Sequence, residues 1–475
     1  MSGFVSLVGA GPGNPELLTV LAKRRLAEAD VVIYDRLVNP ALLVPLTAKK
    51  IDVGKLPQHH KVSQYQINQL LVETARKVNR VVRLKSGDPY VFGRGGEESQ
   101  YLRAHHVDFE VVPGITSAIA GLGAAGIPIT HRDFASSFHV ITGHHQINGS
   151  QPDWENIAHQ EGTLVFLMGM AELGQIAGQL IKHGRPKTTP VAVIQWATHW
   201  NQRAVRADLA TIEAEVKEHR LGAPALIVVG DVVRLMSELA SNRPLQGLHL
   251  LVPFSPASKL FTGLQDYGAA VNFFNRQKKQ PLDFDLSIAD DVDTLVVSDV
   301  SAFDFFEQKL LATGYDHRWL ADRRVLATNQ AIADYLRSRG IIIDGDFNPA
   351  GSHFLSRAVV IGEQQALAQL KLTGIQKLAT WRAIPTVQNI DFSQFHGIVF
   401  PSSASAMDLL AGCTVSQKQQ LAELPCFTMG QRVGDKSRQL GFQQITTVSP
   451  SIEAVITAVI DYFKNEVDVS ARLNY

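Results

Sequence analysis

The residues best able to do chemistry lie where apolar runs of strand length end. Phe4–Val8 runs into Gly9-Ala10-Gly11-Pro12-Gly13, and Asp30–Tyr34 runs into Asp35. Glycines let a backbone approach a ligand closely, and open α/β sheets bind ligands outside the carboxyl ends of their strands. A carboxylate at 35 is well placed for such a ligand, although capping a helix is an equally common fate. The glycine run is not the GxGxxG of dinucleotide sites, and a plain strand-to-helix turn fits it as well. Lys55 follows a further strand-like piece, KKIDVGK, where surface charge is the ordinary role of a lysine. The densest signal is Ser86-Gly87-Asp88-Pro89-Tyr90-Val91-Phe92-Gly93-Arg94-Gly95-Gly96-Glu97-Glu98, a glycine-rich segment after VVRLK. It lacks the GK[ST] ending of a phosphate loop, so nucleoside triphosphate hydrolysis is unsupported. Its aromatics and Val91 call for burial in a structured loop. FEVVPG then leads through Ile115-Thr116-Ser117 into AIAGLGAAG, whose small residues tight packing explains without a ligand.

These segments need an α/β scaffold to position them. Phe4–Val8, Asp30–Tyr34, Arg80–Leu84, Phe109–Val112, Leu164–Leu167, Val191–Ile194 and Ala225–Val229 read as strands, and Pro15–Glu28 and Gln64–Val78 as helices between them. That alternation predicts largely parallel sheets. Asn14 is suited to cap the first helix and Pro15 to open its first turn. Around Ala240–Gly247 the stretch SNRPLQG reads as a linker, dividing the chain into 1–242 and 248–475. Beyond it TLVVS, RVLAT, AVVIG, GIVFP and PCFTM are strand-like. LATNQAIADYLRSRG is similar to FTMGQRVGDKSRQLG, and GIVFPSSASAMDLL to TLVVSDVSAFDFF. Two similar α/β lobes explain this, as do two unrelated units sharing the α/β rhythm.

Composition narrows the function. The 475 residues carry 45 Lys+Arg against 45 Asp+Glu, with 45% hydrophobic residues. A neutral chain is a poor binder of nucleic acid, though a local basic pocket for an acidic small molecule is compatible with it. The two cysteines, Cys413 and Cys426, sit in no CxxC or Cys/His cluster, so no metal site is expected. The start, MSGFVSLVGAG, has no features of a cleavable signal, and no apolar run approaches membrane-spanning length. A cytoplasmic protein without membrane partners is the expectation.

VGAGPGNPELLT, ADVVIYDRLV, VGK, RLKSGDPYVFGRGGEE, VVPGITSA, GIPITHRD, ITGHH, DWENIA, TLVFLMG and PVAVIQWAT occur in that order. In this the first half resembles the uroporphyrinogen-III C-methyltransferases, within the wider tetrapyrrole methyltransferases. The resemblance implies two α/β lobes with S-adenosylmethionine in the cleft between them, a homodimer paired through this half, and double methylation of uroporphyrinogen III to precorrin-2, on the routes to sirohaem and cobalamin. Position by position, Pro12, Ser86, Gly87, Asp88, Val91, Thr116, Ser117, Met168 and Ala197 match cofactor contacts. Ser86 replaces a usual glycine, and so does Ala197, which is compatible with a backbone contact if its φ stays negative. Asp35 matches a proton acceptor and Lys55 a proton donor. The implied substrate carries eight carboxylates. Arg36, Arg94 and Arg132 are candidates to bind them, or are surface ion pairs.

Residues 248–475 resemble uroporphyrinogen-III synthase, a fold of two α/β lobes interleaved in sequence, through HLLVPFS, GIVFPSSASAMDLL, CFTMGQRVGDKSRQLGF and TTVSPSIEAVITAVIDYF. The expected architecture is therefore a two-lobed tetrapyrrole methyltransferase fold followed by a two-lobed synthase-like fold. Ser402, Ser403, Ser405, Gln431 and Arg432 are the candidate substrate contacts there; capping and turn chemistry account for them equally. The family's tyrosine before the second crossover is replaced by Trp381, VVSDVSAF stands where a threonine-serine turn is usual, and LATNQAIAD lacks the usual glycine. Three readings follow. The chain makes uroporphyrinogen III and methylates it, or the second half is a non-catalytic module, or the first half methylates RNA or another precorrin. The neutral charge opposes RNA, and YDRLV, GRGGEE and THRD favour uroporphyrinogen.

Overall fold

The structure is a computed structural model that describes residues 3–54, 63–143, 152–255, 258–289, 291–348, 357–372, 374–388 and 390–466. The apolar runs form strands β1 (Phe4–Gly9), β2 (Val31–Tyr34), β3 (Lys49–Asp52), β4 (Arg80–Lys85) and β5 (Phe109–Val112). They make one parallel sheet in the order β3-β2-β4-β1-β5. Successive side chains point to opposite faces. Val5, Leu7 and Ile33 meet the helix Gln64–Ala75, and Val8, Val32 and Leu84 meet Val20–Ala27. Asn14 and Pro15 do open a helical turn, but it stops at Leu17. Leu18 is extended and Thr19 caps a separate helix, Val20–Ala27, by accepting from the Ala22 amide. The continuous Pro15–Glu28 helix is thus two pieces.

The second sheet is β6 (Phe138–Thr142), β7 (Thr163–Leu167), β8 (Pro190–Gln195), β9 (Arg203–Asp208) and β10 (Ala225–Val229), ordered β6-β7-β10-β8-β9. It is mixed rather than parallel: only β6 and β7 run alike, and the other neighbours are antiparallel. The short loop between β8 and β9 permits that, because a parallel pair would need a long crossover. Leu164, Phe166 and Val193 face the helix Leu173–Lys182. Val165, Ala192 and Val228 face Ser117–Ala124, the helix that follows β5. That helix ties the first sheet to the second.

After the polar stretch 240–247 the chain forms β11 (His249–Pro253) and β12 (Ala270–Phe274). It then builds β13 (Lys278–Pro281), β14 (Thr294–Val297), β15 (Arg324–Ala327), β16 (Gly345–Asp346), β17 (Ala358–Glu363) and β18 (Gln376–Ile384), and continues as β19 (Gly397–Phe400), β20 (Cys426–Met429) and β21 (Ile445–Val448). The third sheet is parallel, β12-β11-β19-β20-β21. The fourth, β13-β18-β17-β14-β15-β16, is parallel except for β13. This is the interleaving that the resemblance implied. By its contacts the chain separates into one unit of 1–274, 391–403 and 419–475 and another of 275–390 and 404–418; the 240–247 stretch lies inside the first. No helix of the described residues is long and apolar enough to cross a membrane.

Candidate active site

Three loops interlock at the carboxyl ends of β1, β4 and β5. The Ala10 amide donates to the Lys85 carbonyl at 2.7 Å, and Gly11 and Gly87 exchange amide–carbonyl bonds of 3.2 and 2.8 Å. The approach requires glycine: a Cβ on Gly114 would lie 2.2 Å from the Gly87 oxygen, and one on Gly9 2.5 Å from the Gly114 Cα. Asp88 fastens the loops, accepting from the Tyr90 amide at 2.8 Å through one oxygen and the Gly114 amide at 3.0 Å through the other. Gly87 has φ +69°, and a Cβ there would meet only the Thr116 Cα, at 3.9 Å. Ser86 keeps a negative φ, so serine is tolerated where glycine is usual. Thr116 caps Ser117–Ala124 by accepting from the Ala118 amide.

The second sheet supplies the facing loops. Because β10 is antiparallel to both β7 and β8, Met168 and Ala197 emerge at the same edge. Ala197 is buried with a negative φ, and a Cβ on Gly121 would lie 2.8 Å from its own Cβ. Val91 packs against the same core as Ala197. Tyr90 and Phe92, in contrast, are exposed, where burial was expected. Across from them Thr198 Oγ1 accepts from the Asn14 amide at 3.2 Å. The His199 ring covers Gly13 and bonds the Pro12 carbonyl; burial lowers its pKa and that bond partly offsets the effect. Gly87 and Asp88 are thus bonded to the neighbouring loops, Pro12 to His199, and Val91 and Ala197 share one core, whereas Ser86, Ser117 and Met168 share only the position of their loops. Five non-glycine residues of these loops, Phe92, Arg94, Met168, Trp196 and Thr198, hold φ between 50° and 67°. Sparsely populated backbone gathers at ligand sites. At Gly87 the space beyond the backbone is open but for the Thr116 Cα, so a ligand can approach the main chain closely there.

Asp35 ends β2 and caps no helix; Asn39 caps the following turn. Its carboxylate instead accepts from the Arg83 guanidinium. Arg83 and Lys85 alternate with Leu84 on β4, so both point to one face. There Glu98 Oε1 accepts from Arg83 Nε at 3.1 Å, Lys85 Nζ at 3.0 Å and Gln64 Nε2 at 3.1 Å, and Lys85 Nζ lies 4.0 Å from Asp35. Glu98 is fully buried, Arg83 and Lys85 nearly so. Two cations and two anions balance, which is what lets the charges stay inside. Burial is the largest influence on Lys85 and, with repulsion from Arg83, lowers its pKa. Burial opposes the charge of Arg83 too, but Glu98 and Asp35 outweigh it and raise its pKa. Sequence reasoning passed over these supporting residues. Their signal was two cations spaced by one residue in the buried, otherwise apolar stretch of a central strand, Val81–Lys85.

The other expected residues separate. Lys55 lies outside the described residues. Arg94 is engaged in an exposed two-pronged pair with Glu97, at 2.8 and 2.6 Å, and Arg132 is exposed in the turn His131–Ala135. Arg36 lines a cavity of about 830 Å³. In the third sheet Ser402 and Ser403 follow β19, Gln431 and Arg432 follow β20, and Ser403 Oγ donates to the Arg432 carbonyl at 3.5 Å. Gln431 is bonded to Asp435 at 2.8 Å; Ser405 is buried on the helix Ser403–Ala411. Trp381 donates its indole N–H to Asp299 Oδ1 at 3.0 Å.

The tetrapyrrole (corrin/porphyrin) methylase family matches residues 5–213, the stretch that carries both loop sets and Asp35. A uroporphyrinogen-III C-methyltransferase of Bacillus subtilis (strain 168) is 37% identical over 435 residues, covering 86% of this chain and 88% of its own. The chain belongs to the uroporphyrinogen-III C-methyltransferase family. It is thereby an S-adenosylmethionine-dependent methylase of tetrapyrrole biosynthesis. An S-adenosyl-L-methionine-dependent uroporphyrinogen III methyltransferase of Methanosarcina barkeri is 49% identical over 245 residues, 51% of this chain and 96% of its own. The Bacillus alignment is too long to stop at the first half, so the synthase-like half also has counterparts among methylases of this family. A porphyrin biosynthesis protein HemD of Ruminiclostridium josui is 37% identical over 76% of this chain and 75% of its own. Among solved structures, the Thermus thermophilus uroporphyrin-III C-methyl transferase complexed with S-adenosyl homocysteine is 44% identical, covers 49% of this chain and 99% of its own, and has a TM-score of 0.43.

Proposed function

We propose that this chain methylates uroporphyrinogen III twice to precorrin-2, and that its second half forms uroporphyrinogen III from hydroxymethylbilane. The observation that carries the first part is Asp35, held by Arg83 at the carboxyl edge of β2 beside the glycine loops. In this reading Pro12, Ser86, Gly87, Asp88, Val91, Thr116, Ser117, Met168 and Ala197 hold S-adenosylmethionine. The cofactor supplies an electrophilic methyl on a sulfonium, already a good leaving group. What is left for the chain is alignment and exclusion of water. As a ring carbon takes the methyl, positive charge develops on the ring. Asp35 stabilises that charge and accepts the proton, lost from elsewhere on the macrocycle because the methylated carbon has none, that returns the ring to neutrality. Lys55 is the proposed proton donor, and Arg36, Arg94 and Arg132 bind substrate carboxylates. Arg94 would have to exchange Glu97 for substrate, a small cost because exposed pairs contribute little.

The remaining proposals concern assembly and the second half. We assign 1–242 to the methylase and 248–475 to the synthase-like domain, with a cytoplasmic homodimer paired through the first half and no nucleic-acid partner. Ser402, Ser403, Ser405, Gln431 and Arg432 are its substrate contacts. One observation favours a non-catalytic second half: at Trp381, where the synthases carry a phenol, the indole N–H is already spent on Asp299. The discriminating experiment supplies hydroxymethylbilane and S-adenosylmethionine with no added synthase. Doubly methylated type III product, well above spontaneous type I closure, is the expected result. Methylation only when uroporphyrinogen III is supplied ready-made would leave the second half as a binding module.

A further inference from the structure

The 830 Å³ cavity beside Arg36 is walled by both halves of the sequence, all within the larger compact unit. Its size lies in the range of small-molecule sites. One wall is the loops after β1 and β2, the second of which begins at Asp35 and Arg36. The other is the linker and the amino-terminal edge of the third sheet, with Arg243, His249, Gln265 and Asn272. This is the edge opposite Ser402 and Gln431, so the cavity is separate from the candidate synthase site. Trp200, from the β8–β9 loop, joins the walls by stacking on His249 with ring centroids 5.2 Å apart.

The charge and hydrogen-bonding groups define the occupant. Arg36 makes no ion pair with any described residue. Arg243 spends one N–H, on the Gln265 carbonyl at 3.3 Å, and pairs with no described carboxylate. Glu16 is the single acidic residue in the lining, whereas side-chain amides recur around it. Gln265 is buried in this wall, and its Oε1 has no hydrogen-bond partner among the described residues. Guanidinium groups with free donors select carboxylates.

We propose that the second half completes the methylase's substrate site. Arg243 and Arg36 bind acidic side chains of a tetrapyrrole polycarboxylate from opposite walls. This deepens the uroporphyrinogen reading and rests on it. The test measures binding of uroporphyrin III, the stable oxidised form of that ligand class, to the full-length chain by tryptophan quenching, with S-adenosyl homocysteine binding as the fold control. Arg243→Gln and Arg243→Glu should weaken porphyrin binding by about tenfold or more, the loss expected for a charge-assisted bond. S-adenosyl homocysteine binding should stay within twofold, and Arg243→Lys should recover part of the loss. Coproporphyrin III, with half the carboxylates, should bind the wild type more weakly and lose less on substitution. Equal uroporphyrin binding by wild type and both variants would overturn the proposal, as would no binding by the wild type. Turnover of uroporphyrinogen III, measured separately, decides the functional reading, so the two failures are distinguishable.

Discussion

At the scale of single residues, Asp35 was legible because a carboxylate at a strand's carboxyl end is conspicuous. Its support was not. Arg83, Lys85 and Glu98 are charged residues that sequence statistics place outside, and only the fold shows that they cancel one another. Arg83→Met should cost about 3–5 kcal/mol, since it leaves Glu98 and Asp35 facing one lysine. Denaturant midpoints would read that loss. In the folded fraction kcat should fall while S-adenosyl homocysteine affinity holds; an unchanged kcat would mean Asp35 does not need the guanidinium. His249 gives a pH prediction. Burial is the main cause, His396 and His199 push the same way, and its pKa is lowered from 6.5 to about 4. Between those values the unfolded chain binds more protons, so stability rises with pH there. The contribution is present above 6.5 and is lost as pH falls toward about 4, amounting to about 3 kcal/mol at most. His249→Asn should flatten that part of a Tm-against-pH curve, and an unchanged acid limb would refute the assignment.

At the scale of elements, most strands read from sequence lie in sheet interiors, such as β1, β4, β7 and β10, whose apolar runs are nearly continuous, although β3 and β5, at the edges of the first sheet, were read as well. The edge strands β6, β9, β12 and β13 gave no such run because one face or both meet solvent. The mixed second sheet was hidden for a related reason, since strand direction leaves little trace in apolar content. The loop site was legible through its glycines, but their separate jobs were not. Gly114→Ala drives a methyl into the Gly87 carbonyl at 2.2 Å, whereas Gly87→Ala makes only an ordinary contact with the Thr116 Cα at 3.9 Å but strains the backbone at φ +69°. Gly87→Ala should cost about 1–2 kcal/mol. Gly114→Ala should cost more than that and should also weaken S-adenosyl homocysteine binding, because the β4 and β5 loops can no longer close on each other. Equal effects of the two on stability and binding would count against the interlocked cradle.

At the scale of the whole molecule, two lobes were legible as paired similarities, GIVFPSSASAMDLL with TLVVSDVSAFDFF, because each strand-turn-helix repeats one local pattern, whereas their interleaving came only from the family resemblance. The cavity between linker and loops was not, since nothing in SNRPLQG says what its arginine faces. If the second half walls the methylase site, a chain cut to 1–242 should methylate with a higher KM for tetrapyrrole and an unaltered S-adenosylmethionine requirement, given that it remains folded by circular dichroism. Equal KM in the cut and full chains would assign the second half no part in methylation. The central claim, methylation of uroporphyrinogen III through Asp35, is tested most directly by one mass measurement. Wild type and Asp35→Asn are each given uroporphyrinogen III and methyl-labelled S-adenosylmethionine, and products are weighed over time. The account predicts a product carrying two labelled methyl groups from wild type, and a rate lower by about 10²–10⁴ in Asp35→Asn at intact S-adenosyl homocysteine binding. No labelled product from wild type, or an Asp35→Asn rate equal to it, would contradict the account.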